Sequence, residues 1–191
     1  MSKILVPIGI SNRHVHLSSQ DLATLFGPGY QLNKIKDLSQ PGQFACAETV
    51  AVIGPKGQLP AVRILGPTRK QTQIEVAKTD CYTLGIDAPL RDSGDLAGTP
   101  GIKLKGPYGE VDLPEGLICA QRHLHLHVKE AAELGLYDKQ IISVLIEGER
   151  SLVFHNVLVR VGENYAKDLH IDTDEANAAN VKVGDFAVVL K

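Results

Sequence analysis

The sequence predicts a mainly β protein: two small β-barrels capped by short α-helices and related by an approximate internal duplication. Three observations carry this. Brief apolar runs recur between turn residues, with 18 Gly and 10 Pro in 191 residues, the punctuation of many short strands. Helical windows are few and brief, too short to serve as the crossovers of a parallel α/β sheet. Finally, Arg13-His14-Val15-His16-Leu17 returns later as Arg122-His123-Leu124-His125-Leu126.

The strands are expected over 3–11, 49–53, 61–65, 73–77, 102–105, 110–113, 141–146, 152–160, 168–172 and 186–190. Gly106-Pro107-Tyr108-Gly109 reads as the turn of a hairpin. Short helices follow the histidine stretches. Ser18 is a good N-cap for 19–26, with Asp21 at the third helical position. A second helix is expected over 129–134, ending at Gly135, and a third over 173–179 with Thr173 or Asp174 as cap. The duplication has a second echo: 132–146 and 179–190 each read as a helix end, a tight turn and a strand. Brief strands with capping helices suit small closed barrels.

Bulk properties narrow the function. A net charge of −2 gives no nucleic-acid footprint and no reason to expect a membrane partner. The apolar stretch 4–10 is broken by Pro7 and Gly9 and runs into the first histidine pair, so it reads as a core strand and not a signal peptide. No apolar run approaches the roughly 18–20 residues of a membrane span. Cys46, Cys81 and Cys119 are odd in number and widely spaced, which argues for a reducing cytoplasm over a disulfide frame.

On a strand, residues i and i+2 point to one face. His14 and His16 therefore project together, as do His123 and His125, and each pair is half of a zinc site. His127 continues the second alternation and either faces the same way or lies in solvent. His155 reads as a surface position. His170 precedes a helix start rich in Asp, Thr and Asn, where a polar site could assemble. If the chain is extended from Arg69, then Arg69, Gln71, Gln73 and Glu75 share a face. A carboxylate there would complete a His-His-Glu set, and an arginine is the natural bidentate partner of phosphate; the alternative is a polar strand face in water. Cys119 is four residues ahead of His123, but a buried inert thiol is the simpler reading. No phosphate loop or nucleophile elbow is present.

The stretches 11–18, 66–69, 73–75, 121–125 and 170–177, taken in order, resemble the PduL-type phosphotransacylases, or phosphate propanoyltransferases, over essentially the whole chain. The resemblance implies a two-zinc enzyme that interconverts an acyl-CoA and phosphate with an acyl phosphate and CoA. It implies one zinc on His14, His16 and Glu75, a second on His123, His125 and His170, and phosphate on Arg69. Coenzyme A contacts would fall at Ile10, Ser11, Asn12, Lys56, Arg63 and Asn177, with Tyr82 stacking on the adenine. The family fold implies a barrel of 13–120 and a second barrel of 1–12 plus 121–191, the N-terminal strand joining the C-terminal barrel. A homodimer is also implied. Members packaged in bacterial microcompartments usually carry an amphipathic extension ahead of the first histidine strand, and only about a dozen residues precede His14 here. A free cytoplasmic enzyme is therefore expected. Two rival readings share the metal sets: a zinc hydrolase using bound water, and a non-catalytic barrel stapled by closed four-ligand zinc sites.

Overall fold

The computed structural model describes residues 3–190. In chain order its elements are β1 (Ile4–Ser11), β2 (His14–His16), α1 (Ser19–Phe26), β3 (Lys34–Asp37), β4 (Phe44–Ile53), β5 (Gln58–Gly66), β6 (Gln73–Glu75) and α2 (Lys78–Leu84). There follow β7 (Leu90–Arg91), β8 (Ile102–Lys105), β9 (Glu110–Leu113), β10 (Leu117–Ala120), β11 (His123–Leu126) and α3 (Val128–Leu134). The last elements are β12 (Ile141–Ile146), β13 (Leu152–Val161), β14 (Asp168–Asp172), α4 (Thr173–Ala179) and β15 (Phe186–Leu190). The mainly β class is as the sequence predicts.

Two compact units result. One gathers the described residues of Met1–Ser11 and Gln121–Lys191 with Ser39–Pro41. Its strands close into a barrel in the order β1-β14-β11-β13-β12-β15. The alternating strand residues fill it: Val6, Leu124, Leu126, Val144 and Val159 are all fully buried. Each such side chain contributes about 1.5–3 kcal/mol relative to exposure. The other unit, Asn12–Leu38 with Gly42–Ala120, is a nine-stranded half-barrel in the order β7-β10-β6-β2-β5-β4-β8-β9, with β3 on the edge of β4. Val15, Ile64, Ile74, Leu104 and Leu117 form its core. The strand leading into each histidine pair belongs to the opposite unit: β1 precedes β2, and β10 precedes β11.

Local chemistry explains the element ends. Ser18 caps α1 by accepting the Asp21 N–H at 3.0 Å. The β8–β9 hairpin closes through Gly106 N–H to Gly109 O at 2.9 Å. Helix α4 covers the expected 173–179, but its N-cap is Asp172, one residue before Thr173 and two before Asp174, accepting the Glu175 N–H at 2.8 Å. Helix α2 is not anticipated by the sequence reading, because its N-cap, Ala77, has no polar side chain. Its readable signal is at the other end, where Gly85 takes the left-handed conformation at φ 71°.

Candidate functional site

Each histidine strand lies between two neighbours arranged in the same way. Strand β2 pairs β5 in parallel and β6 in antiparallel fashion, and β11 pairs β13 and β14 likewise. In the half-barrel, His14 stands opposite Glu75; in the barrel, His123 stands opposite His170. His14, His16 and Glu75 thus form one set, and His123, His125 and His170 another, with one ligand-type atom from each residue lying within 4.8 Å of the others in its set.

The hydrogen bonds fix the ring tautomers. His14 Nδ1–H donates to Asn12 O at 2.8 Å, and His123 Nδ1–H donates to Gln121 O at 2.8 Å. A carbonyl only accepts, so in the neutral rings both lone pairs lie on Nε2. His14 Nε2 is 3.5 Å from Glu75 Oε2, and His123 Nε2 is 3.0 Å from His125 Nε2. His170 Nε2–H meets the Asp168 carboxylate at 3.0 Å. Among the described residues, the buried Nδ1 atoms of His16 and His125 have no hydrogen-bond partner. Uncompensated buried nitrogens are rare, and clustered imidazole lone pairs beside a carboxylate suit a divalent metal such as zinc. The residues therefore fit a metal ion in each set, with three protein side chains able to hold it.

Electrostatics differ between the sets. Burial disfavours charge on His14, but Glu75 overrides it and raises the ring above its ordinary range. Burial likewise opposes ionisation of Glu75, yet His14 and His16 hold the carboxyl well below the usual carboxylate range. Burial, and then the charge of His14, pulls His16 down to about 3. His125 is pulled down to about 2 by burial and by its histidine neighbours His123 and His170.

Further residues support the sets. Gln73 Nε2 donates to Glu75 Oε1 at 2.5 Å, and Ser93 Oγ donates to the same oxygen at 3.0 Å. Arg69 Nη1 donates to Ser93 Oγ at 3.2 Å, and the Arg69 charge is felt by both His14 and His16. Arg69 is therefore beside the first set, though not by the extended path the sequence suggests. The strand spans only Gln73–Glu75, and residues 70–71 are bends. The segment is pinned instead to the approach of α1, by Arg69 N–H to Leu17 O and by Ser18 N–H to Thr72 Oγ1. Gln71 leaves the site and bonds Glu115 at 2.9 Å. Ser93 is missed by sequence reasoning because it sits in a loop without periodicity.

His127 joins neither set: it caps α3, its Nδ1 accepting the Lys129 N–H at 3.1 Å. His155 is exposed on β13 and meets Ser143 at 2.8 Å. Cys119 is buried on β10. Of the positions matched to coenzyme A, Ile10 and Ser11 end β1 and Asn12 follows, its carbonyl holding His14. Lys56 donates its N–H to Leu84 O at the end of α2, the helix that presents Tyr82, 79% exposed. Arg63 is the parallel partner of His14, and its Nη1 donates to Cys46 O and Ala47 O. Asn177 lies on α4, where its carbonyl accepts from Arg150.

Fold and site together define a class: a two-unit β protein holding two matched metal-type ligand sets, one of them with an arginine at its side. The phosphate propanoyltransferase family model matches residues 7–182. A phosphate propanoyltransferase of Thermotoga maritima is 52% identical over 96% of this chain and 88% of its own length. Those of Salmonella typhimurium (53%, over 91% and 83%) and Clostridioides difficile (47%, over 97% and 89%) are similar. The chain belongs to the phosphate propanoyltransferase family, whose members are acyltransferases.

Proposed function

We propose that this chain interconverts a short-chain acyl-CoA, propanoyl-CoA or acetyl-CoA, and phosphate with the acyl phosphate and CoA. The observation that carries it is Arg69 beside the His14, His16 and Glu75 set, a guanidinium next to three clustered ligand-type side chains. The His14, His16 and Glu75 set and the His123, His125 and His170 set each hold one zinc. Zinc, when bound, supplies a Lewis acid for the thioester carbonyl and a soft partner for sulfur.

Arg69 binds phosphate through its fork of donors and holds it for attack. Ser93, bonded to both Arg69 and Glu75, fixes the distance between the anion site and the first ligand set. A phosphate oxygen bonds to the thioester carbon, the carbon–sulfur bond breaks, and CoA leaves as the thiolate. Transfer is direct, in a ternary complex, because the buried Cys119 offers no activated nucleophile. Ile10, Ser11, Asn12, Lys56, Arg63 and Asn177 contact coenzyme A, and the exposed ring of Tyr82 stacks on its adenine. A cytoplasmic homodimer completes the reading.

The test is CoA release from propanoyl-CoA and acetyl-CoA, with and without phosphate, on metal-replete protein. Release that requires phosphate is expected, and release indifferent to phosphate would replace the transferase with a hydrolase. Arg69→Ala should raise the KM for phosphate by roughly 10–100-fold, the equivalent of about 1.5–3 kcal/mol for a lost charged hydrogen bond. An unchanged phosphate KM would remove Arg69 from the anion site.

A further inference from the structure

Arg13 precedes His14, and Arg122 precedes His123, and both arginines make the same kind of link. Arg13 meets Asp80 twice, Nε to Oδ2 at 3.0 Å and Nη2 to Oδ1 at 2.7 Å. Asp80 is buried, and its Oδ2 also accepts the Ala77 N–H at 3.1 Å. Ala77 is two residues beyond Glu75. In the barrel, Arg122 Nε meets Glu175 Oε1 at 2.5 Å, and Glu175 Oε2 accepts the Asp172 N–H at 2.9 Å. Asp172 is two residues beyond His170. Both carboxylates occupy the third position of the helix that follows the third ligand, Asp80 in α2 and Glu175 in α4.

Each link therefore joins the residue ahead of the first histidine to the chain just past the third ligand. The ladders between these points are short: β2 and β6 have three residues each, β11 four and β14 five. A slip of one residue would turn every side chain to the opposite face, which would dissolve the ligand set. So few ladder bonds specify register weakly, and an outside anchor at each end strengthens it. These pairs differ from surface ion pairs of negligible worth: Asp80 is buried and gripped by two donors, and each carboxylate also takes a backbone N–H.

We propose that Arg13–Asp80 and Arg122–Glu175 are matched register clamps. These are positioning residues that hold His14 opposite Glu75 and His123 opposite His170, and so set the metal affinity of the neighbouring set. The inference rests on the metal reading of the two sets. It assigns a task to the arginine that opens each histidine motif.

The test is cobalt(II) titration of the chelator-stripped full chain, read by visible d–d absorption and by bound equivalents. The unsubstituted chain should take up two. A His125→Ala background isolates the half-barrel set; there Arg13→Gln should weaken binding roughly 10–100-fold, the usual scale for losing a group that orients a ligand. Arg13→Lys, which keeps the charge but not the fork, should recover part of that loss. In a His16→Ala background, Arg122→Gln should act on the barrel set while Arg13→Gln leaves it unchanged, which also shows that the Arg13→Gln chain is folded. Unchanged affinity in both matched backgrounds would overturn the clamps. So would equal weakening of both sets by either substitution, since that is general destabilisation. An unsubstituted chain that takes up no cobalt would instead overturn the metal reading itself, a result distinct from clamps failing in a chain that binds two.

Discussion

The two ligand sets share a backbone plan but invert its chemistry at the third ligand. In the half-barrel that ligand is Glu75, and the residue two positions before it, Gln73, donates an amide hydrogen to its carboxylate. In the barrel it is His170, and the residue two positions before it, Asp168, accepts from its ring. A carboxylate ligand is matched with a donor, and an imidazole ligand with an acceptor. The parallel neighbour changes too: Glu75 sits beside Ile118, whereas His170 sits beside Gly9. The lesson is that register is what the duplication keeps, while ligand, support and neighbour vary as a group.

The largest effect comes from deleting a ligand. Glu75→Ala and His170→Ala should each cost transfer more than the roughly 10–100-fold typical of losing a supporting partner, with one metal equivalent lost in each case. If one variant keeps full turnover after losing its metal, the two sets are unequal, one serving chemistry and the other only structure. Next comes the inverted support. Gln73→Glu sets a second carboxylate against Glu75, and Asp168→Asn removes the charge that fixes the His170 tautomer. Each should lower metal affinity at its own set by about 10–100-fold, measured by competition with a chromophoric chelator. Equal loss at the other set would contradict the pairing of each support with its ligand.

Much of this plan is legible in the sequence, and the rest is hidden for identifiable reasons. Alternation in Arg13–Leu17 and Arg122–Leu126 puts both imidazoles of a pair on one face, as the ring centroids 5.0 Å apart in His14 and His16 and 4.6 Å apart in His123 and His125 bear out. The Ser18 cap and the 106–109 turn are local chemistry and are read correctly. Strand β3 is hidden because all four of its residues are exposed, leaving no apolar alternation to detect. Strand β10 is too short to declare itself, although Leu117 and Ile118 are fully buried. Helix α2 and Ser93 are missed because an alanine N-cap and an irregular loop carry no period. The role of Arg13 and Arg122 is invisible for a different reason: their partners Asp80 and Glu175 are distant in sequence and become neighbours only through sheet pairing.

A smaller effect tests the difference between Gly9 and Ile118. A Cβ at Gly9 would lie 2.7 Å from Asp168 Oδ2 and 3.0 Å from His170 Cδ2. Gly9→Ala must therefore push Asp168 away from His170 or shift the β1–β14 pair. A loss of about 1–3 kcal/mol in stability is expected from such overpacking, along with weaker metal binding at the barrel set alone. Thermal unfolding of the metal-free and metal-loaded forms separates the two. An alanine that changes neither would show that the glycine is not what lets Asp168 reach the ring.

The finest comparison is between the second histidines, His16 and His125, in metal-free protein. Both are held neutral chiefly by burial, down to about 3 and about 2 against an ordinary value of 6.5. Below pH 6.5 the unfolded chain takes up protons on both rings and the folded chain does not, so stability falls with pH until the folded values are reached. Each ring contributes a slope of at most about 1.4 kcal/mol per pH unit. The half-barrel also has His14, whose raised value adds stability that is present below 6.5 and lost as pH rises through the folded value. Glu75, held low, adds stability that is present above its ordinary 4.5 and lost as pH falls towards the folded value. Between pH 7 and 5, then, His16 and His125 set the acid limb, and Glu75 begins to contribute only below that range. His125→Gln cannot titrate, so denaturant midpoints of the chelator-treated chain at pH 5 and pH 7 should differ less for this variant than for the unsubstituted chain. Identical differences would mean that His125 takes up its proton in the folded state as readily as in the unfolded one, and the buried neutral ring inferred for the barrel set would have to be abandoned.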